Sequence, residues 1–276
     1  MMAGMSRPGR PALPAPEHVA IRSLRVAFRR AGAGPPLVLL HGGACDGRVW
    51  ARQLEDLSAE FTVVAWDAPG CGWSSDPPEG FRMADYADCL AGFIDALGLG
   101  RPHVLGHSFG AGLALALCGR HPAVPQSLIL AGAYAGWAGS LPADEVRRRL
   151  QATLDIADRS PGLPGPDAAA DLPGLPASGP PSGGLEAIMS DSHPIGTRVM
   201  AVAFAEADLR PVLPLVEVPT LLLHGEADRR SPLEVAAAIH SSIPGSKLVV
   251  LPGLGHESYL EDPRGFNAEV RRFLLA

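Results

Sequence analysis

Gly106-His107-Ser108-Phe109-Gly110 is where residue types and spacing could first carry chemistry. The pentapeptide follows an apolar, strand-like run, PHVL, and precedes a helical run, AGLALALCGRH. Between a strand and a helix, a GxSxG turn is strained and forces its serine into a sparsely allowed backbone conformation. Glycines two residues to either side are required, because side chains there would collide where strand and helix approach. The amino terminus of the helix faces the serine, so its backbone N–H groups and dipole favour an anion beside it. In a chain with 32 glycines the pentapeptide alone could be an ordinary Gly-Ser turn; its flanking elements argue for a nucleophile.

A serine hydroxyl is a poor nucleophile at neutral pH and requires a base. Nine histidines are available, so position must choose among them. His256 lies in PGLGHESYLEDP, just after the last strand-like run, at the sheet's expected carboxyl edge. Ligands and chemistry in open α/β sheets gather at that edge. His107 adjoins the serine and is expected to point away from it, while His41 and His224 end strands and read as parts of turn networks. His18 is near the amino-terminal tail, and His103, His121, His193 and His240 are at strand or helix edges.

The third member should be a carboxylate ending an intervening strand. Asp228, in LLLHGEADRRSP, fits, with Glu226 as a nearby competitor. The loop after SLILAG reads AYAGW and has no carboxylate, which favours Asp228. Its role would be to hold the imidazole tautomer and stabilise the imidazolium without itself becoming protonated. A developing oxyanion also needs donors, and one missing donor costs about 2.7–4 kcal/mol of barrier. The Phe109 N–H is the expected first donor. The second should come from His41-Gly42-Gly43-Ala44, and it is assigned to Gly43, unless that stretch is a structural glycine turn only.

These residues need a scaffold, and the chain supplies one. Short apolar runs alternate with longer helical patterns, the signature of a mostly parallel sheet covered on both faces. HVAIRS and RVAFRR alternate at period two and predict an opening antiparallel hairpin. PLVLLHG, TVVAWD, PHVLGHS and SLILAG are continuous apolar strands, as expected when both sheet faces are buried. Helical patterns fall between them at 50–60, 83–97 and 109–121. The alternation breaks after residue 133 and resumes with PTLLLHG and KLVVLPG, before a final amphipathic helix at 263–275.

The break spans 134–214 and predicts a small cap inserted into a sheet domain formed by 17–133 and 215–276. It opens with DEVRRRLQATLDIADR and closes with LEAIMSDSHPIGTRVMAVAFAEADL, both helical. Between them, SPGLPGPDAAADLPGLPASGPPSGG holds seven of the chain's 28 prolines, which bars a helix or inner strand. Residues 1–16 read as a disordered, Pro-rich tail with no apolar signal region.

Composition narrows the function. The 276 residues are 47% apolar and 19% charged, ample for a buried core. A net charge of -6, with no Lys/Arg run, argues against nucleic acid. No apolar stretch approaches the roughly 20 residues that span a bilayer. Cys45, Cys71, Cys89 and Cys118 are far apart, with no CxxC or metal-ligand spacing, and read as reduced thiols of a cytoplasmic protein. Neither metal nor cofactor is expected.

HGGACDGRVW, DAPGCGWS, GHSFGAG, HGEADRRSP and GLGHESYLEDP together resemble the α/β-hydrolase superfamily, of the esterase, lactonase, C–C hydrolase and haloperoxidase-like kind. The resemblance covers the chain from about residue 35 to its end, apart from the cap. It implies an α/β-hydrolase fold: a mostly parallel eight-stranded sheet with helices on both faces and an inserted helical cap. The order Ser108, Asp228, His256 matches the chain order of the family's triads. The turn at 67–74 matches a structural signature of the family. Relatives with an aspartate nucleophile, such as epoxide hydrolases and haloalkane dehalogenases, are disfavoured by serine at 108, and iminopeptidase activity by the GHSFG pattern. The expected activity is hydrolysis of a small, largely apolar ester, lactone, thioester or C–C ketone through an acyl-enzyme on Ser108. The alternatives are a triad-retaining ligand receptor or regulator, and a non-hydrolytic lyase or oxygenase on the same fold. Substrate identity and oligomeric state are not legible in the sequence.

Overall fold

The apolar runs become strands, and alternation along each sends side chains to both sides of one sheet. The computed structural model describes residues 13–158 and 184–276. β1 (Glu17–Ile21) and β2 (Leu24–Ala31) form the antiparallel hairpin. β3 (Pro36–Leu40), β4 (Thr62–Trp66), β5 (His103–His107), β6 (Ser127–Ala131), β7 (Thr220–Gly225) and β8 (Lys247–Leu251) are mutually parallel. The eight strands lie in the order β1-β2-β4-β3-β5-β6-β7-β8, with β2 running against β4. β5, β6 and β7 are buried along their whole length, which is why they read as unbroken apolar runs.

Helices cover both faces. α1 (Ala51–Leu57) lies on one, while α2 (Met83–Ala96) and α3 (Phe109–Arg120) lie on the other. In β3, Val38 and Leu40 join the α2/α3 core, while Leu37 and Leu39 join the core under α1. The first helix is shorter than its 50–60 pattern: Trp50 belongs to a 3-10 turn, Gly47–Trp50, that enters it, and residues 58–60 form a turn after it.

Among the described residues, three α-helices lie between β6 and β7, α4 (Ala143–Asp158), α5 (Leu185–Ser190) and α6 (Pro194–Glu206), followed by a 3-10 turn at Arg210–Leu215. The second predicted helical stretch of this insertion divides at 191–193, where His193 is extended and Pro194 opens α6. Proline suits a first helical turn, whose N–H groups have no intrahelical partner. Between β7 and β8 the chain forms α7 (Leu233–Ser242), which the period reading did not single out. After β8, a short helix α8 (Ser258–Glu261) leads into the terminal helix α9 (Pro263–Leu274) on the α1 face.

The proline-rich run of the insertion and residues 1–12 of the predicted tail lie outside the described residues; Leu13 packs against the α1-side core. No helix among the described residues is long and apolar enough to cross a membrane.

Candidate active site

The turn from β5 into α3 is as tight as its glycines require. A Cβ on Gly106 would sit 2.2 Å from the Gly110 carbonyl oxygen, and one on Gly110 would sit 2.2 Å from that of Leu40. Ser108 is held between them at φ 52°, ψ −110°, a left-handed conformation rare for a residue with a side chain. Such backbone costs on the order of 1–3 kcal/mol and persists only where surrounding contacts over-determine it. Those contacts are present: the Ser108 N–H donates to Ala131 O at 2.9 Å, and the Ser108 carbonyl accepts from Ala111 and Gly112 at 3.1 and 3.2 Å.

The neighbouring strand ends bring the other predicted residues to this edge. The loop after β7 carries Asp228, and the loop after β8 carries His256; both are buried. His256 Nδ1 donates to Asp228 Oδ2 at 2.7 Å, which leaves Nε2 as the proton-accepting nitrogen. Asp228 Oδ1 accepts the backbone N–H groups of Arg230 and Ser231, each at 2.8 Å. Burial acts to raise the Asp228 pKa, but the hydrogen bond and charge of His256 and the Ser231 amide outweigh it, so the carboxyl is held below its usual value. Glu226, the competing carboxylate, is exposed and accepts instead from the Gly253 N–H at 2.9 Å. Gly132, at φ 52°, makes room for the base, since a Cβ there would lie 3.0 Å from His256 Cε1.

The loop after β3 adjoins the serine: the Cβ position of Gly42 is 3.6 Å from Ser108 Cβ. Among the described residues the Gly43 and Phe109 N–H groups have no acceptor, and the space beside Gly43 is open. This loop rests on a buried polar frame. Asp67 accepts from the Gly47 N–H at 2.8 Å and the Trp73 N–H at 3.0 Å, joining it to the 67–74 turn. His41 behaves as a turn residue, donating through Nδ1 to Gly42 O at 2.8 Å and accepting the Ala68 N–H at 3.0 Å.

The expectation that His107 merely turns away from the serine misses a contact. Its ring lies 4.7 Å from that of His256, and its Nε2 donates to the His256 carbonyl at 3.0 Å. Burial brings His107 down to about 4, so it is neutral at physiological pH. Glu257 was also missed, although a carboxylate directly following the candidate base was a visible signal. His107, His256 and Glu257 offer ligand atoms within 4.8 Å of one another. His107 Nε2 and His256 Nδ1 both spend their hydrogens on protein oxygens, which leaves His107 Nδ1 and His256 Nε2 as the lone-pair nitrogens of the two rings.

The insertion meets this edge at several points. Phe204 of α6 packs edge-on against Phe109 at 5.4 Å and also contacts Tyr134 and Trp137. Arg149 of α4 donates to the Tyr134 hydroxyl at 2.9 Å and to the Arg230 carbonyl at 3.1 Å. Arg48 pairs with Asp191 at 2.8 Å, His193 with Asp76 at 2.8 Å, and Arg82 with Glu206 at 2.9 Å.

A family model described as the alpha/beta hydrolase fold matches residues 35–182, more than half of the chain. The chain belongs to the α/β-hydrolase superfamily. A second model, described as TAP-like protein, matches residues 204–276. The chain is 30% identical over 264 residues to the 2-hydroxy-6-oxo-2,4-heptadienoate hydrolase of Pseudomonas putida, covering 89% of this chain and 91% of that one. Among solved structures it resembles a thermophilic esterase from Thermogutta terrifontis, with a TM-score of 0.83 and 27% identity over 95% of this chain and 98% of that one. A hydrolase from Pseudomonas aeruginosa gives a TM-score of 0.80 and 28% identity over 95% of this chain and 98% of that one. This α/β-hydrolase is therefore an enzyme of the hydrolase class.

Proposed function

We propose that this α/β-hydrolase works by acyl transfer from a small, largely apolar carbonyl substrate to water, through an ester on Ser108. The observation that carries the reading is the strained Ser108 turn beside a buried His256–Asp228 pair joined at 2.7 Å. His256 Nε2 takes the serine proton as Oγ attacks the carbonyl carbon. The carbonyl electrons move onto oxygen, where the Gly43 and Phe109 N–H groups stabilise them. Collapse expels the leaving group, protonated by the imidazolium. His256 then activates water to release the acid and restore the serine.

The substrate is an ester, lactone, thioester or ketone with a cleavable C–C bond. The aromatic group of Phe109, Tyr134, Trp137 and Phe204 beside the nucleophile turn favours an apolar acyl group. Relatives named as an esterase and as a hydrolase of a hydroxy-oxo-heptadienoate support this range. We read 134–214 as a cap over the site. Ligand reception without turnover, and lyase or oxygenase chemistry, are the competing uses of the same groups.

A fluorophosphonate probe tests the reading. Ser108 should label stoichiometrically and the other serines should not. Ser108→Ala should abolish labelling and lower hydrolysis of short p-nitrophenyl esters by about 10⁶, with the thermal midpoint little changed. Full ester hydrolysis by the alanine variant would remove the proposal; labelling without ester turnover would move it to the receptor reading.

A further inference from the structure

A second carboxylate adjoins His256 and has no part in the acyl-transfer scheme. Glu257 is 15% exposed at its side chain, and its Oε2 is buried without a hydrogen-bond partner. A carboxylate oxygen lies within 4.8 Å of a nitrogen of His256 and of a nitrogen of His107, the latter at 3.7 Å. Tyr259, fully buried, places its hydroxyl near the same carboxylate, yet it too completes no hydrogen bond. Buried acceptors are rarely left unpaired, because each forfeits its hydration, so an orphaned carboxylate beside a candidate base calls for a reason.

The charges around the imidazole supply one. Asp228 and Arg230 approach from the loop after β7, His224 from β7, His107 from β5, and Glu257 and Tyr259 from the base's own segment. Burial lowers both His107 and His224, which favours their neutral forms. Burial acts to raise Glu257, but the charges of the neighbouring histidines and Arg230 outweigh it and hold the carboxyl below its usual value. The opposing effect is largely histidine charge, so a Glu257 anion and a positive His256 stabilise each other.

We propose that Glu257 is a positioning residue for the reaction: its carboxylate, set beside His256 and His107, stabilises the imidazolium that forms when the base takes the serine proton. Asp228 fixes the tautomer through a direct hydrogen bond, whereas Glu257 acts through space on the same ring. His107 contributes by gripping the His256 carbonyl, which fixes where the ring and the carboxylate stand relative to each other. The proposal rests on His256 being the general base.

The test is the pH profile of kcat/KM for a p-nitrophenyl ester, measured on the full chain and its variants. Removing the anion makes the imidazolium less stable, so the acid limb of Glu257→Gln should move to lower pH by about one unit. Its kcat should fall about tenfold, because the charge being stabilised belongs to the transition state, while KM changes less than about twofold. Glu257→Asp keeps the anion but withdraws it by one methylene, so it should move the limb in the same direction by less and lower kcat by less. An acid limb in Glu257→Gln that coincides with wild type would overturn the proposal, whatever the loss of kcat. If Glu257→Gln does not fold, Glu257→Asp decides: a limb displaced in the same direction supports the proposal, and an unmoved limb with reduced kcat marks Glu257 as structural. A wild-type profile with no acid limb would instead sink the reading of His256 as base.

Discussion

The Ser108 turn and the insertion between β6 and β7 are held by different kinds of contact. Around Ser108 the constraints are steric and backbone-made: glycines abut carbonyl oxygens, and Ser108 is tied by its N–H to Ala131 and by its carbonyl to α3. Such contacts leave little room for partial loosening. The insertion meets the core through buried apolar side chains, among them Leu185 and Ile188 of α5 and Val199, Met200, Ala203 and Phe204 of α6, and its rim adds ion pairs with exposed partners, such as Arg82–Glu206 and Arg48–Asp191. Exposed pairs contribute only about 0–1 kcal/mol each and are screened by salt. The difference teaches that the two regions rest on different tolerances: the turn admits no added atom at Gly106 or Gly110, whereas the insertion's rim holds charges whose loss leaves the buried seam intact.

The comparison can be broken most severely at the acid. Asp228→Asn keeps the shape of the rigid part but holds His256 in the wrong tautomer, so turnover should fall about 10⁴ with folding intact. Steady-state kinetics on an ester check this, with Glu226→Gln as the control. A near-normal Asp228→Asn beside a crippled Glu226→Gln would reverse the assignment of the acid.

Gly110→Ala attacks the same region through stability. The added methyl would meet the Leu40 carbonyl at 2.2 Å, where backbone, not a flexible side chain, must give way. Overpacking of this kind costs on the order of 3 kcal/mol. Urea unfolding should show that loss; a midpoint within experimental error of wild type would mean the turn is less constrained than its geometry implies.

The smallest expected effect lies at the insertion's rim. Glu206→Gln removes one charge of an exposed pair and should cost no more than about 0.5 kcal/mol, with a thermal midpoint displaced by only about 1–2 °C. A loss several times larger would show that the insertion is clamped as firmly as the turn, and the contrast between the two regions would collapse.

The sheet was the most legible part of the sequence, for a physical reason. Strands buried on both faces, such as Val104–Leu105 in β5 and Leu128–Ala131 in β6, must be continuously apolar, and few other structures require that. The β5–α3 turn was legible because only glycine fits at 106 and 110. Asp228 and Glu226 both follow β7 closely, so strand-end position did not separate them; in the structure it is Asp228 that lies 2.7 Å from His256 Nδ1. α7 passed unnoticed because its run, LEVAAAIHSS, is too short and too alanine-rich for a clear period. The partnership of His107 with His256 spans 149 positions and depends on how the loop after β8 folds back over β5, which no local pattern encodes. Glu257 was visible as a residue but not as a problem, since its orphaned oxygen exists only once the loop is packed.

Phe204 has a consequence for how such an enzyme diversifies. Its ring rests on Phe109, the residue whose N–H is proposed to meet the oxyanion, and against the α3 surface at Gly112. Among the described residues of the insertion's helices, only Phe204 of α6 places an aromatic ring on that residue. Exchanging only the chain between α4 and α6 would leave that ring in place together with the Arg149 bond to the Arg230 carbonyl. The insertion is in that sense an interchangeable fitting with two keyed teeth, and a recombinant carrying a foreign insertion should keep its turnover only where both are present.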